Sequence, residues 1–336
     1  MHLSLTFVIP NVHAFQSGGN IYNKDLIAGL RKTGCSIKVL DLTTFQQQEI
    51  EKLKGHYFFD TLYFTQLASI FTKKNKHAQF WLIVHHLESL YPPKGWTAQQ
   101  YFLQKEKSFL AQFDGFLTSS QFTADYLTAN HLTPPKIIIL PAIDYFPSNH
   151  LIKKTTPIKA LMVANLVERK GILPFLERLL DSPLINHSNQ LQIQLIGTAA
   201  IEKEYAQECL ALLKKNEALR QIVHYQGQLS SAQLHSYYQA SNLFISTAFM
   251  ETYGMALQEA RAFHLPILGI DGGNVKHHII EGKTGYLFND ANALINQLER
   301  IVYSPNLLAA LQRNIQDETP NFYTWEQAGI QLIQQI

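Results

Sequence analysis

The sequence is short of cysteine, of charge and of long apolar runs. Only Cys35 and Cys209 occur in 336 residues. They stand far apart and match no metal-ligand or redox spacing, which argues against a disulfide scaffold and fits a reducing compartment. Charged residues make up 16% of the chain and the formal net charge is +2, too little to drive wholesale nucleic-acid binding. The aromatic residues (11%) sit inside apolar runs rather than among Lys and Arg, so no nucleic-acid partner is expected. No apolar run approaches the roughly 20 residues that span a bilayer. The opening MHLSLTFVIPNV has no basic segment ahead of its short apolar run and does not read as a secretory signal. The expected location is cytoplasmic. No Asp-X-Asp triplet occurs anywhere, so the carboxylate pairing that often holds Mg²⁺ or Mn²⁺ is missing.

What the chain does have is 46% hydrophobic residues, enough for two cored domains. Short β-rich apolar runs alternate with longer amphipathic stretches, the pattern of parallel sheets covered by helices. Strands are expected at 3–10, 36–42, within 56–64, and at 80–86, 115–120 and 136–140, with helices over 19–32, 97–112 and 121–129. A second series of strands begins at 158–165 and continues at 191–197, 222–227, 243–247 and 266–270. Between the series, LPAIDYFPSNHLIKKTTP (140–157) carries three prolines and no periodicity. Proline fixes φ and disfavours helix before it, so this stretch reads as a linker. The expectation is α/β, two doubly wound parallel-sheet domains, 1–150 and 151–310, with a tail at 311–336. Such domains bind ligands at the carboxyl ends of their strands, which puts the expected site in a cleft between them.

The most informative stretch is METYGMALQEARAFHLPILGIDGGN (250–274). It reads as a loop carrying Glu251, then a helix starting near Gly254 with Glu259 in its second turn. A helix N-terminus offers free N–H groups and a positive dipole end, suited to phosphate. Gly254 lets a ligand approach the backbone closely. Met255, Ala256 and Glu259 share one helix face, where a carboxylate would suit the vicinal hydroxyls of a ribose. A glutamate in the first turns of a helix also commonly just complements the dipole.

Segment 224–288, with seven residues between Glu251 and Glu259, Pro266 before a strand, Gly272 and Gly273, and the turn GKTGYLF, resembles the C-terminal domain of the retaining GT-B glycosyltransferases of family 4. PNVHAFQSGGNIYNKDLIAGLRKTG resembles that family's first strand, glycine loop with Gly18 and Gly19, and first helix. GFLTSSQFTADYL, with Ser120 and Thr123, ILPAIDYFP, LMVANLVERKGILPFLERLL and LIG at 195–197 match in order. YTWEQAGIQLIQQI resembles the C-terminal helix that crosses back to the first domain.

The resemblance implies a GT-B fold with two Rossmann-like domains, the first binding acceptor and the second a nucleotide-sugar donor, UDP- or GDP-linked. Glu259 would hold the ribose, while Glu251, Tyr253, Gly254, Met255 and Ala256 would meet sugar and diphosphate. Gly18 and Gly19 would line the donor from the first domain. Lys170 would balance diphosphate charge and stabilise the departing nucleotide. Where the family usually has Gly-Arg, this chain has Ala164 and Asn165, so Arg169 is the candidate for the missing cation and Asn165 a neutral donor-side contact. His85 matches a family histidine near the reacting sugar, and His86 should face the other way if the strand continues. His86 and Ser120 are acceptor-side candidates. His277 and His278 lie past the double glycine, and neither histidine pair has a convincing third metal ligand, so no metal is expected. Catalysis would be metal-independent, with no cofactor beyond the co-substrate and no protein general base.

The acceptor would be a glycan, a lipid-linked glycan or a small molecule. Lys73, Lys74 and Lys76 offer at most weak peripheral contact with an anionic membrane. A nucleotide-sugar epimerase or phosphorylase on the same fold, and a degenerate nucleotide-sugar-binding protein, remain as alternatives.

Overall fold

The computed structural model describes residues 4–10, 17–41, 54–70, 77–145, 156–316 and 322–336. Lys73, Lys74 and Lys76, the polar stretch FQQQEIEKLK up to residue 53, and residues 146–155 of the linker lie outside the described residues.

The chain divides into two compact units, Met1–Asp144 with Phe322–Ile336, and Tyr145–Asn321. The first is built on six parallel strands, β1 (Ser4–Ile9), β2 (Ser36–Asp41), β3 (Gly55–Asp60), β4 (Ala78–Val84), β5 (Gly115–Thr118) and β6 (Lys136–Ile138), in the order β2-β1-β3-β4-β5-β6. The second holds β7 (Ile158–Val163), β8 (Leu191–Ile196), β9 (Val223–Gly227), β10 (Leu243–Ser246), β11 (Ile267–Ile270) and β12 (Gly285–Phe288), in the order β12-β11-β10-β7-β8-β9. All recorded pairings between these strands are parallel. Central strands covered on both faces must be apolar on both, and β5, β10 and β11 are buried along their whole length. The second unit shows the period of two directly: Leu161, Phe244 and Ile267 pack on one face, and Met162, Ile245 and Leu268 on the other.

The helices that bear on the site and its support are α1 (Gly18–Lys32), α2 (Gln121–Ala129), α3 (Ile172–Leu180), α4 (Ser231–Ala240), α5 (Met255–Ala262), α6 (Ala291–Tyr303) and α7 (Trp325–Ile333). Ser17, Ser120, Ser230, Asp290 and Thr324 cap five of them by accepting a backbone N–H three residues on, which is why those helices start where they do. Helix α7 belongs to the first unit, where Trp325 packs edge-on against Tyr22 at 5.4 Å. The two backbones approach so closely that a Cβ on Gly29 would lie 2.0 Å from the Trp325 carbonyl oxygen.

Three expectations are corrected. Strand β4 stops at Val84, so His85 and His86 follow the strand instead of alternating along it. The helix expected over 97–112 is broken by a π-helical turn at Phe102–Glu106, where the buried Glu106 accepts from Ser89 N–H at 3.1 Å and from the Ser89 hydroxyl. The GKTGYLF stretch is a turn only at its start; Gly285–Phe288 pair with β11 as an edge strand.

Candidate functional site

In the second unit the strand order reverses between β7 and β10, and the loops leaving such a switch point form a ligand-binding crevice. Arg169 and Lys170 lie on the loop after β7, and Glu251 on the loop after β10. The loops are stitched together: Phe249 N–H donates to Arg169 O (2.9 Å) and the Thr247 hydroxyl to Lys170 O (2.6 Å). This brings Lys170 Nζ into an ion pair with Glu251 Oε1, both side chains about one-seventh exposed. Arg169 Nη1 sits 4.0 Å from Glu251 Oε2 and donates to Met250 O at 3.3 Å. Burial opposes ionisation of Glu251, but the Lys170 and Arg169 cations outweigh it and hold the carboxyl below its usual range. Burial likewise lowers Lys170 against the pull of Glu251. Each is the other's counter-ion, which favours the charged form of both against burial.

The loop after β11 fixes the other side. Glu251 N–H donates to Gly272 O (3.2 Å) and Asn274 N–H to Glu251 O (2.8 Å). Asn274 Nδ2 (2.8 Å) and His278 Nε2 (2.7 Å) both reach Tyr253 O. Because a carbonyl only accepts, His278 carries its hydrogen on Nε2, and its buried Nδ1 has no hydrogen-bond partner among the described residues. Burial pushes its pKa down to about 4, so the ring is neutral. These bonds hold Gly254 at φ +94°, the left-handed geometry that starts α5 without a capping side chain. The first turn therefore offers its backbone donors at the mouth of a small cavity lined by Ala164, Lys170, Thr247, Glu251 and Ala256.

Glu259, on the second turn of α5, is half-buried beside Tyr238 of α4, whose phenol donates to Ala256 O at 3.1 Å. Burial first, and the Glu259 carboxylate second, raise the Tyr238 pKa. Asn165 spends its Oδ1 on the backbone N–H of Thr198 (3.1 Å). Thus Arg169, Lys170, Glu251, Tyr253, Gly254, Met255, Ala256 and Glu259 sit on two adjoining loops and one helix, while Asn165 braces the loop end behind them.

The remaining candidates lie in the first unit. Gly18 and Gly19 open α1, and a Cβ on Gly19 would lie 2.8 Å from His85 Cδ2. His85 is buried, with Nε2 2.9 Å from Asn23 Oδ1 and 3.5 Å from Asp60 Oδ2. The half-buried His86 follows it, its N–H 3.5 Å from Thr61 Oγ1. Ser120 is 1% exposed and accepts from Thr123 N–H as the cap of α2. Sequence reasoning missed Asn23, Asp60 and Asn274, and weighed His278 only as a metal ligand. The available signal was polarity where an apolar residue would be expected, as in Asp60 closing the run HYFF.

A family model for glycosyl transferases group 1 matches residues 148–318, just over half of the chain. The chain belongs to that family. Among curated proteins, this group 1 glycosyl transferase is 30% identical over 93 residues to an alpha-monoglucosyldiacylglycerol synthase of Acholeplasma laidlawii, covering 28% of the chain and 23% of that protein. The alignments to the curated relatives span at most 32% of their length. Among solved structures, a sucrose-phosphate synthase from Thermosynechococcus elongatus superposes with a TM-score of 0.79 at 19% identity, covering 99% of this chain and 98% of that one. Anabaena HepE in complex with UDP-glucose gives 0.75 at 14% identity, covering 99% of both. The fold is GT-B: two Rossmann-like parallel-sheet units.

Proposed function

We propose that this group 1 glycosyl transferase moves a sugar from a nucleotide-sugar donor to a hydroxylated acceptor, as a retaining, metal-independent enzyme of family 4. The observation that carries the reading is the convergence of Lys170, Arg169 and Glu251 beside the uncapped start of α5. Lys170 in a partly dry pocket, Arg169 beside it and a helix N-terminus suit a diphosphate, and they oppose the negative charge that builds on the leaving nucleotide. That charge source is why no divalent ion is invoked. Glu259, half-buried on α5 beside Tyr238, takes the ribose hydroxyls. Glu251, Tyr253, Gly254, Met255 and Ala256 meet the sugar and diphosphate.

The second unit is thus the donor domain. The first is the acceptor domain, with His85 near the reacting sugar, Gly18 and Gly19 lining the donor, and His86 and Ser120 on the acceptor side. UDP is the favoured nucleotide because a whole-chain fold neighbour was solved with UDP-glucose. The acceptor is a carbohydrate, a lipid-linked glycan or a small molecule. A lipid acceptor is in keeping with the diacylglycerol named for the Acholeplasma relative and with weak peripheral contact at the cytoplasmic membrane face. Among the described residues no helix is long and apolar enough to cross a membrane.

Slow hydrolysis of the donor without acceptor tests the reading. Hydrolysis should persist in EDTA and fall on the order of 100-fold or more in Lys170→Met, since one charge-stabilising donor is worth about that much. Loss of turnover in EDTA would contradict metal independence. Donor binding with no hydrolysis at any enzyme concentration would favour the degenerate binding protein, for which Asn165, engaged with Thr198 where the family usually has arginine, is the motivating residue.

A further inference from the structure

We propose that Asp60 and Asn23 are positioning residues that fix the proton of His85 on Nε2 and leave Nδ1 as the nitrogen that meets a sugar hydroxyl. The proposal rests on the reading of His85 as a residue of the transfer site.

The first unit has its own switch point, between β1 and β3. Asp60 ends β3, Asn23 lies on the buried face of α1 and His85 follows β4. Asn23 and Asp60 are essentially inaccessible, at 0% and 1% exposure. Asn23 Nδ2 donates to Asp60 Oδ2. Asp60 Oδ1 accepts the Leu62 N–H at 2.7 Å, so both carboxylate oxygens are engaged.

The proton positions follow from one end of this chain to the other. The Asn23 amide turns its NH₂ toward Asp60, to which Nδ2 donates. Its Oδ1 is then the atom 2.9 Å from His85 Nε2. An amide oxygen also only accepts, so Nε2 must carry the hydrogen. In a neutral imidazole this leaves Nδ1 with a lone pair. Among the described residues, His85 Nε2 also lies 3.5 Å from Asp60 Oδ2, Tyr22 meets the ring edge-on at 5.3 Å, and the backbone N–H donates to Thr61 Oγ1 at 3.0 Å. None of them engages Nδ1. Gly19 lies against the Cδ2–Cγ side and Tyr22 meets the ring edge-on, so Nδ1 is the ring nitrogen without a hydrogen bond among the described residues. A hydroxyl donating to that lone pair completes the set, and sugar hydroxyls are the matching chemistry for this fold.

The test begins on the unmodified protein. With ¹³C,¹⁵N-labelled histidine in the full chain, long-range ¹H–¹⁵N correlation spectra should show His85 as the Nε2–H tautomer. An Nδ1–H tautomer would overturn the proposal outright. In Asp60→Asn the side chain can donate as well as accept, so the amide of Asn23 is no longer oriented. That variant should show mixed tautomers and a fall in kcat for UDP-glucose hydrolysis on the order of 10- to 100-fold with KM little changed. An unchanged kcat would remove the positioning role. If Asp60→Asn does not fold, the His85 substitutions still decide the matter. Asparagine places its amide where Nδ1 was and glutamine where Nε2 was, so His85→Asn should retain more activity than His85→Gln. The reverse order overturns the assignment of Nδ1. Full activity in both variants would take His85 out of the transfer site, and the proposal with it, even with the Nε2–H tautomer intact.

Discussion

His278 shows how much one buried side chain can decide. It is neutral because it is buried, and its Nε2–H pins the Tyr253 carbonyl that sets up Gly254. An unfolded chain protonates histidine near its ordinary value of 6.5, whereas this ring takes a proton only near pH 4. Between those values the unfolded chain binds more protons, so stability is complete above about pH 6.5 and declines as the pH falls toward 4. A displacement of that size corresponds to about 3 kcal/mol at most. Glutamine at this position can reach the same carbonyl without titrating. Thermal unfolding at pH 7.5 and pH 5 should therefore show a larger loss of Tm for the wild type than for His278→Gln. His56, His235 and His264 are also lowered by burial and contribute to both proteins alike. Equal losses would mean that His278 is not the group being protonated.

At the scale of elements, the start of α5 is the feature on which the proposed donor site depends. Gly254 is left-handed, and a Cβ there would lie 2.7 Å from Leu257 Cδ1. An L-residue in that conformation costs about 1–2 kcal/mol. Gly254→Ala should lower the Tm by a few degrees but weaken UDP binding at least tenfold in a calorimetric titration, because the first turn must rotate away from Lys170. A loss of Tm with unchanged affinity would detach the helix start from the diphosphate. This element was readable in advance, since good helix formers follow a glycine directly. So were β4, β10 and β11, whose apolar runs lie between polar or proline boundaries. The strand Gly285–Phe288 was not, because four residues after a Gly-Lys-Thr turn carry no period of their own and pair only once β11 is in place. Nor was the π turn at Phe102–Glu106, where Glu106 is drawn inward by Ser89 from outside its own helix. The ion pair of Lys170 with Glu251 joins residues 81 apart. Only the order of motifs along the chain brought them together beforehand. The pairing of Asn23 and Asp60 with His85 went unread, because local sequence carries no trace of which strand ends adjoin which helix face.

At the scale of the molecule, the chain leaves its first unit near residue 144 and returns to it at Phe322. Helix α7 covers α1 through Trp325, Ala328 and Leu332, all nearly inaccessible. The Trp325 N–H donates to Asp144 Oδ1 at 3.0 Å. Deleting Phe322–Ile336 strips this cover from Tyr22 and Leu30 while leaving the second unit's own core complete. Hydrogen exchange read segment by segment should then show α1 losing protection and α3 and α6 keeping theirs. Equal loss in all three would mean that the units share their stability. The central claim is that the second unit binds a nucleotide sugar through α5, and it is tested most directly by ligand-observed NMR. UDP, GDP and ADP and their common sugars would be presented in turn to the wild type and to Glu259→Ala. One nucleotide sugar should bind the wild type, UDP-linked by this account, and lose most of its signal in the variant. No binding by any of them, or binding indifferent to Glu259, would contradict it.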